Sequence, residues 1–432
     1  MNISLFRKGL VIGIIVLFVG AGVIPSTVGL KKEKTTTQII GSRGYIQDLI
    51  DNASDGDTIF VPNGIYHEKI VINQSINLIG EDKYTTIISG DGIGCVVSVI
   101  SNWVNISGFT IRYGGGERGA GICLGSYTTV TGNIISENGD GISGGYHCSI
   151  INNIVCNNSD GIVLGQYAEY NKIENNSIIN GDSGLFFTGG EFGPASNNII
   201  LNNSFFNTGI TIAPCCYFLN SFSNNMVNNK PFVLLEKESN KVIDTAGQIY
   251  LLDCDNITIK NQEICNTTVG ILLSGSINSL IMNNTISLNN DGIFLGGSNN
   301  TIKGNTISSN EMIGIYLGGS SNNIIFHNNF LDNTDNVYDE GGNTWDDGNY
   351  GNYWSDYIER YPDAKRLPLK GIWDTPYEIE GGDNADDCPL IKQWPNSRSR
   401  TITRTQINPH PILYWFLDRF PLLERLLTIV LL

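Results

Sequence analysis

Short apolar stretches of two or three residues recur along the middle of the chain, separated by Asn, Gly, Ser and Thr. Two such units match closely, Asp-Gly-Ile-Phe-Leu-Gly-Gly-Ser-Asn-Asn-Thr-Ile at 291–302 and Gly-Ile-Tyr-Leu-Gly-Gly-Ser-Ser-Asn-Asn-Ile-Ile at 314–325. Equivalent Gly-Ile or Gly-Leu starts occur at residues 121, 141, 161, 184, 209 and 270. Neighbouring starts are 20 to 25 residues apart, so the pattern predicts a repeat array.

A period near 22 residues is too short for helix pairs, which need ~33 residues, and fits a coil of three short strands. Alternation directs Ile, Leu and Val inward and polar residues outward. Gly and Asn accept the left-handed backbone of tight corners, and stacked Asn corners are expected to form hydrogen-bonded ladders. The prediction is an all-β fold, a right-handed parallel β-helix over residues 44–335. A leucine-rich repeat is the structural alternative, but the Leu spacing does not fit it.

Both ends of this solenoid are predicted to be covered, because an open coil exposes its core and its unpaired strand edge. Ile46, Leu49 and Ile50 recur at helical spacing, which predicts a short amphipathic capping helix before a first strand at residues 58–61. Residues 336–394 depart from the repeats and are rich in acidic and aromatic residues. They are predicted to form an irregular C-terminal cap whose aromatic rings cover the last coil.

The two termini have the features of targeting and linker segments. Arg7 and Lys8 precede an apolar run at 9–24 and then small residues, which predicts a secretory signal over 1–29, with an uncleaved N-terminal anchor as the alternative. Residues 30–43 and 395–410 are predicted linkers. The apolar tail at 411–432 carries four charges and a proline, which fits an interfacial helix or docking tail, with packing onto the solenoid as the alternative. The protein is therefore expected to be secreted or extracellular, with membrane or surface attachment through 9–24 or 411–432 left open.

Charge and cysteine content narrow the classes of partner and chemistry. The formal charge is −16, and residues 35–391 hold 15 Lys and Arg against 39 Asp and Glu, which argues against nucleic acid. The nine Cys are an odd number and include no Cys-x-x-Cys. They are predicted to be mainly small buried residues, with one or two bridges between neighbouring coils left open.

Several motifs resemble a known group of β-helix proteins. Residues 46–90 resemble the N-terminal cap of pectin-lyase-like β-helices, with Gly-Asp-Thr-Ile at 56–59 and Gly-Ile-Tyr-His-Glu at 64–68. The repeats, the segment 230–259, and the motifs Asn-Tyr-Trp-Ser-Asp-Tyr at 352–357 and Asp-Thr-Pro-Tyr at 374–377 resemble the NosD-like group of secreted archaeal repeat proteins. The resemblance covers residues 44–392 and implies the fold. The group is named after a periplasmic protein tied to copper-site maturation, and its superfamily mixes carbohydrate-binding proteins with sugar hydrolases.

Two kinds of residue are candidates for polysaccharide cleavage. Asp140, Asp160 and Asp291 each precede Gly-Ile at equivalent repeat positions. If Asp140 and Asp160 stack on adjacent coils, their backbones lie ~5 Å apart, which could raise a carboxyl pKa or hold a cation, although Asp-Gly is also an ordinary turn signature. Arg112 and Arg118 flank the glycine run 114–116 and are the candidates for a lyase groove.

Exposed aromatic and amide side chains suit glycan binding. The candidate ligand-binding residues are Tyr113, Tyr127, Tyr146, Tyr167 and Tyr170. The interpretation favours non-catalytic binding of a polysaccharide or another envelope component. A polysaccharide lyase or glycoside hydrolase acting along the β-helix face is the alternative, and a copper-site maturation accessory protein ranks third.

Metal cofactors receive little support from the sequence. Copper sites need convergent His, Met or Cys, whereas the four His and four Met are scattered, so no copper and no other cofactor is predicted. Asp346 and Asp347 begin a loop typical of cation ligands. In relatives an Asp-rich interval precedes the Asp-Thr-Pro-Tyr motif, but here that interval carries Lys365, Arg366 and Lys370. Calcium is therefore left only as an alternative, with Asp346 and Asp347 as its candidate ligands.

Overall fold

The computed structural model describes residues 44–116, 119–190 and 193–395. The predicted segments 1–29, 30–43 and 411–432, the predicted linker from residue 396 onward, and Arg118 lie outside the described residues. Within the described part the helices are α1 (Tyr45–Asp51) and α2 (Tyr357–Arg360), with one 3₁₀ turn at Pro214–Cys216. Neither of these helices has the length and apolar character needed to cross a membrane.

The N-terminal solenoid comprises the following strands: β1 (Thr58–Val61), β2 (Gly64–His67), β3 (Ile70–Ile72), β4 (Asn77–Gly80), β5 (Thr86–Ser89), β6 (Val97–Val99), β7 (Asn105–Ser107), β8 (Thr110–Arg112), β9 (Ala120–Ser126), β10 (Thr129–Thr131), β11 (Ile134–Ser136), β12 (Asp140–Tyr146), β13 (Ser149–Ile151), β14 (Ile154–Cys156), β15 (Asp160–Leu164), β16 (Lys172–Glu174), β17 (Ser177–Ile179), β18 (Ser183–Phe187), β19 (Gly189–Gly190), β20 (Gly193–Pro194), β21 (Ile199–Leu201), β22 (Ser204–Phe206), β23 (Ile210–Ile212), β24 (Ser221–Ser223) and β25 (Met226–Val227).

The C-terminal solenoid and its cap comprise the remaining strands: β26 (Lys230–Glu236), β27 (Val242–Ile243), β28 (Gln248–Leu252), β29 (Thr258–Lys260), β30 (Glu263–Cys265), β31 (Val269–Ser274), β32 (Leu280–Met282), β33 (Thr285–Ser287), β34 (Asp291–Gly296), β35 (Thr301–Lys303), β36 (Thr306–Ser308), β37 (Ile313–Leu317), β38 (Ile324–Phe326), β39 (Asn329–Leu331), β40 (Asp335–Asp339), β41 (Tyr353–Trp354), β42 (Arg366–Leu367), β43 (Ile372–Trp373), β44 (Tyr377–Glu378) and β45 (Ala385–Asp386).

The strands stack coil upon coil into long parallel sheets, which confirms the predicted parallel β-solenoid. In the N-terminal solenoid they form sheet 1 (β1-β4-β7-β10-β13-β16-β21-β24), the first eight strands of sheet 2 (β2-β5-β8-β11-β14-β17-β22-β25) and sheet 3 (β3-β6-β9-β12-β15-β18-β23). Ile, Leu, Val and Phe from all three sheets fill the interior, as alternation predicts. Helix α1 covers the first coil, with Ile46 and Ile50 fully buried.

Sheet 2 does not end with the N-terminal solenoid. Strand β25 pairs antiparallel with β26, with Val227 opposite Lys230, and sheet 2 then continues as β26-β28-β31-β34-β37-β40 to a total of fourteen strands. The two residues between them, Asn228 and Asn229, have φ of 48° and 62°, the left-handed pair that a type I′ hairpin requires. The remaining walls of the C-terminal solenoid are sheet 4 (β27-β29-β32-β35-β38) and sheet 5 (β30-β33-β36-β39-β41).

The hairpin places the two apolar interiors on opposite faces of sheet 2. In β28, Ile249 and Leu251 belong to the C-terminal core, whereas the alternate residues Tyr250 and Leu252 belong to the N-terminal core. Since neighbouring residues of a strand point to opposite faces, the outer face of the second solenoid covers the open end of the first. Tyr250 also donates from its hydroxyl to the carbonyl of Ile210, at 2.7 Å.

Buried asparagines connect the coils in the predicted ladders. In the N-terminal solenoid the side-chain amide of Asn153 donates to Asn176 Oδ1 at 3.1 Å, and Asn176 donates to Asn203 at 3.0 Å. Asn305 donates in the same way to Asn328 at 2.9 Å in the C-terminal solenoid. In each of these pairs the amide of the earlier Asn donates to the Asn of the next coil. The last Asn of a row has no following Asn, so it needs a different acceptor.

Buried carboxylates supply that acceptor in the C-terminal cap. The backbone N–H of Asn352, the last Asn of one row, donates to Asp386 Oδ2 at 2.7 Å, and the indole of Trp354 donates to the same oxygen at 2.9 Å. Asp339 takes the equivalent place in a second row, where it accepts from Asn343 at 2.7 Å and from the indole of Trp345 at 2.9 Å. The aromatic and acidic cap thus closes both the core and the ladders.

One disulfide joins neighbouring coils, between Cys95 and Cys123, which is one of the bridges that the sequence left open. Four other cysteines are buried thiols, as predicted for small core residues: Cys148, Cys156, Cys216 and Cys254.

Candidate functional site

Four aromatic rings from consecutive coils stack at the corner that leads into sheet 1. Trp103 and Tyr127 have ring centroids 4.5 Å apart, Tyr127 and His147 5.1 Å, and His147 and Tyr170 4.7 Å. The planes of neighbouring rings differ by at most 23°. Tyr146 lies edge-on to this stack, with its centroid 4.5 Å from that of His147. These five residues are called the corner ladder.

The corner ladder is built on an uncommon backbone conformation. Its four stacked residues have φ between 54° and 60°, a region in which a bulky residue pays a steric cost. Asn197 occupies the equivalent corner of the following coil with φ of 56°, and Asn tolerates this conformation far better. Aromatic residues thus stand where asparagine would be easier to accommodate, and such strain is concentrated at functional sites.

The corner ladder is also open to solvent. Trp103 is 64 % exposed, Tyr170 48 % and Tyr146 37 %. Large aromatic side chains with polar tips are usually buried or in contact with a ligand. The exposed stack is therefore a candidate binding surface.

The sequence prediction placed three of these residues in a binding set, and the structure brings Tyr127, Tyr146 and Tyr170 together. It missed Trp103 and His147. The signal that identifies them is register, because each stacked residue precedes a buried sheet 1 residue by three positions, at Ile106, Val130, Ile150 and Ile173.

Tyr113 and Tyr167 lie outside the corner ladder. The Arg112 guanidinium lies 4.9 Å from the centre of the Tyr113 ring. A hydrogen bond to Glu137 raises the pKa of Tyr113. Tyr167 is exposed and has no ring contact among the described residues.

Asp140 and Asp160 are in register on β12 and β15, as the repeat positions implied. Asp160 lines a groove where the outer face of sheet 2 meets the edge of sheet 3. From the N-terminal solenoid this part of the groove, about 200 Å³, is lined by Asp160, Asp182, Ser183, Phe186 and Thr211, and from the C-terminal solenoid by Thr268, Val269, Asn290, Asp291 and Met312. The side chain of Asn290 donates to the backbone carbonyl of Asp182 at 3.4 Å across it. This feature is called the junction groove.

The junction groove continues along the C-terminal solenoid as a further cavity of about 470 Å³. Phe294, Tyr316 and Tyr338 stack along its floor, with centroids 5.1 and 5.6 Å apart. Carboxylates border this floor, namely Asp291, Asp335, Glu340 and Glu380. The groove combines an apolar floor with acidic edges.

Burial and mutual repulsion change the acidity of these carboxyls. Burial raises the pKa of Asp160 to about 6, and the charges of Asp140 and Asp182 add to the increase. Burial also raises the pKa values of Asp140 and Asp291. These carboxyls therefore hold protons more readily than ordinary Asp, a property that general acids share.

Asp346 and Asp347 act as turn acceptors in the cap. Asp346 Oδ1 accepts from the N–H of Gly348 at 2.7 Å, and Asp347 Oδ1 accepts from Asn349 at 2.9 Å and Tyr350 at 2.8 Å. These contacts account for the Asp-Asp-Gly-Asn sequence as a turn.

Comparison with known families identifies the group to which the chain is related. A family model described as "Periplasmic copper-binding protein (NosD)" matches residues 50–233 and 235–358. The chain belongs to the NosD family. The periplasmic description of NosD proteins fits an extracellular or envelope location. No curated protein matches the chain.

Solved structures that are similar in fold to this NosD-family chain include an epimerase module and an alginate lyase. The Azotobacter vinelandii mannuronan C-5 epimerase AlgE4 A-module is 16 % identical, covers 69 % of this chain and 91 % of its own, and has a TM-score of 0.34. A PL6 alginate lyase is 14 % identical over 68 % of this chain and 82 % of its own, with a TM-score of 0.37. Likeness at this level concerns the fold alone.

Copper, which the NosD family description implies, does not fit the described residues. They contain no group of three or more His, Cys, Asp or Glu that could hold a metal ion. His147 lies between the rings of Tyr127 and Tyr170, and His327 stacks on Trp394 with centroids 3.4 Å apart. These imidazoles are used as flat packing surfaces, on separate parts of the molecule.

Proposed function

We propose that this protein binds a polysaccharide or another envelope component through the corner ladder, without cleaving it. The observation that carries the proposal is the exposed stack of four rings on consecutive coils, each in the left-handed conformation. Aromatic side chains offer large apolar area with polar tips and lose little entropy on binding. A row with one ring per coil suits a polymer that repeats along its length.

The composition of the corner ladder favours binding over cleavage. Glycoside hydrolysis needs two carboxyl groups at a set separation, and lyase chemistry needs a positioned base. The corner ladder consists of indole, phenol and imidazole groups. Phenols and imidazole donate and accept hydrogen bonds, which suits sugar hydroxyls.

Secretion is part of the proposal. The disulfide between Cys95 and Cys123 supports an oxidising compartment, because such bonds are rare in the cytosol. The periplasmic description of the NosD family supports the same location. We propose a secreted or surface-attached protein.

The second candidate function is polysaccharide cleavage in the junction groove. The raised pKa of Asp160, to about 6, beside Asp140 and Asp182 favours it, since neighbouring carboxyls with separated pKa values supply an acid and a base. In this case Asp160 would be the acid.

A glycan array with the full-length protein tests the first proposal. The double variant Tyr127→Asn/Tyr170→Asn is expected to weaken glycan binding about tenfold or more, because aromatic contacts dominate such interfaces. Asn is already the native residue at the equivalent Asn197 position, so the coil backbone is preserved. Phe218→Asn is the control, since Phe218 is an exposed aromatic residue with φ of 63° whose ring is not part of the corner-ladder stack.

Unchanged glycan binding by the double variant would contradict the corner-ladder proposal. Release of reducing ends or unsaturated sugars from any bound glycan, abolished by Asp160→Asn, would establish the cleavage alternative instead.

A further inference from the structure

The part of the junction groove lined by Asp160 and Asp182 exists because the chain reverses at the hairpin between β25 and β26. The reversal turns the outer face of sheet 2 toward the edge of sheet 3, so one wall of this part comes from each solenoid, whereas the larger part is lined by the C-terminal solenoid and its cap. Asn290 bonds across it to Asp182. The groove is therefore a built concavity rather than a repeated feature of the coils.

The charge of the groove has one sign. Six carboxylates line it, at Asp160, Asp182, Asp291, Asp335, Glu340 and Glu380, and no Lys or Arg is among its described lining residues. None of these six carboxylates has an ion-pair partner among the residues that the structure describes. Several carboxylates that face one space repel each other, and a positively charged ligand relieves that repulsion.

The acidic edges call for positive charge on the ligand, and the floor of the groove calls for apolar surface. Phe294, Tyr316 and Tyr338 form a continuous apolar strip on three neighbouring strands. The hydroxyl of Tyr338 donates to Glu340 at 3.0 Å at its edge. A ligand for this groove needs apolar surface along its length and positive charge at its sides.

We propose that the junction groove binds an amino-sugar polymer with free, protonated amines. The C–H surfaces of the sugar rings would lie on the aromatic floor, and the ammonium groups would donate to the carboxylates at its edges as charge-assisted hydrogen bonds. Polyuronates are disfavoured, because their carboxylates would face carboxylates. The inference rests on the proposed function, as it takes the ligand to be a glycan, and it adds the chemical class.

The test compares two probes that differ at the nitrogen of each sugar, glucosamine oligomers with free amines and N-acetylglucosamine oligomers, whose acetylated nitrogens carry no charge. Binding to the full-length protein is measured by calorimetry slightly below neutral pH, where the glucosamine amines are protonated, and at low salt, in the Tyr127→Asn/Tyr170→Asn background so that the corner ladder does not contribute. Glucosamine oligomers are expected to bind at least about tenfold more tightly, as charge-assisted bonds exceed neutral ones. Added salt is expected to weaken that binding.

Variants locate the site. Asp291→Asn/Asp335→Asn is expected to weaken glucosamine-oligomer binding about tenfold or more. Asp244→Asn/Glu263→Gln makes the same change in net charge at residues that do not line the groove and is expected to leave binding within about twofold, because distant exposed charges are screened.

The outcomes separate this inference from the proposed function. Equal binding of the two probes, no effect of Asp291→Asn/Asp335→Asn, or tighter binding of oligolysine of equal charge would overturn the amino-sugar inference. None of these results bears on the corner ladder, whose test is the glycan array. Conversely, a failed array with retained, groove-dependent binding of glucosamine oligomers would reject the corner ladder and support the groove.

Discussion

The N-terminal solenoid ends against another part of the same chain, whereas the C-terminal solenoid ends in a dedicated cap. At the first end the outer face of sheet 2 supplies Tyr250 and Leu252 to the neighbouring core. At the second end Asp386 and Asp339 accept from the last ladder residues and from the indoles of Trp354 and Trp345.

The difference shows that a coil leaves two separate requirements at its open end. The apolar interior needs cover, and the rows of Asn donors need acceptors. A sheet with two apolar faces meets the first requirement between the solenoids. Carboxylates, which only accept hydrogen bonds when ionised, meet the second requirement at the end of the fold.

The largest predicted loss of stability is in the C-terminal cap, where Asp386 accepts from the last Asn of a row. Asp386→Ala removes the acceptor of Asn352 N–H and of the Trp354 indole, and also that of Cys388 N–H. The expected loss is about 3–5 kcal/mol, because several buried donors lose their partner together. Chemical denaturation measures it, and Asp387→Ala at the exposed neighbouring residue is the control.

Hydrogen exchange by mass spectrometry then shows which part of the chain is destabilised in Asp386→Ala. Faster exchange is expected in residues 345–390, with the N-terminal solenoid unaffected. Equal acceleration in both solenoids would show that their ends are not independent.

The second prediction concerns the rows themselves. Asn176→Ala and Asn305→Ala each remove the middle member of one row, one in each solenoid. Both are expected to cost about 2–3 kcal/mol, because the preceding Asn loses its acceptor while buried. Similar denaturation midpoints would confirm that the rows are equivalent and that only the ends differ. A gap above about 1.5 kcal/mol would contradict this.

A smaller loss of stability is expected where the C-terminal solenoid covers the open end of the N-terminal solenoid. Tyr250→Phe removes one donor to the Ile210 carbonyl, which Gln248 and Thr268 also contact at 2.8 and 3.1 Å. The loss is expected to be about 1 kcal/mol or less, since the carbonyl remains satisfied. Thermal unfolding of the variant measures it. A loss as large as that of Asp386→Ala would show that the contact covering the N-terminal core depends on polar groups more than on apolar packing.

The smallest effect is a pH dependence of the N-terminal solenoid. The pKa of Asp160 is raised to about 6 in the folded protein, whereas an unfolded Asp has a pKa of about 3.9. The folded state therefore binds the proton more tightly, and stability is expected to fall as pH rises from about 4 to 6 and then to level off. With partial exposure the change should stay below about 1 kcal/mol. Denaturation midpoints across this range should be flatter for Asp160→Asn than for the native chain.

The sequence was sufficient for the coil and for both caps. The 22-residue period, the inward aliphatic residues and the Asn corners each correspond to a strand, a core position or a ladder in the structure. Ile46 and Ile50 identified helix α1, and the aromatic residues after 336 identified the cap. These features are local or repeat at a fixed interval, so a single sequence reveals them.

The reversal at Asn228 and Asn229 could not be recognised from the sequence. Asn-Asn pairs occur at many coil corners, such as Asn152-Asn153 and Asn202-Asn203, where the first residue has φ near 57° and the second enters a ladder. At 228–229 both residues have positive φ and the same dipeptide forms a hairpin instead. The choice depends on what the following strand packs against.

The candidate sites show the same difference between features that repeat along the chain and features that depend on the reversal. Tyr127, Tyr146 and Tyr170 were predicted as exposed aromatic residues of the solenoid, and the register of the repeated units explains why Trp103 and His147 join them. The junction groove joins Asp160 to Asp291, residues that are far apart in the chain, and depends on the reversal. No local pattern indicates that pairing.

The one-way direction of the Asn rows has a consequence for how such a protein changes over evolution. Interior members such as Asn176 and Asn305 receive from the previous turn and give to the next, so an inserted or deleted turn leaves the first donor and the final acceptor as they were. Duplication of a segment of about 22 residues would lengthen the structure by one step without new terminal residues. Total length is thus free to vary while the two termini of each row stay constant.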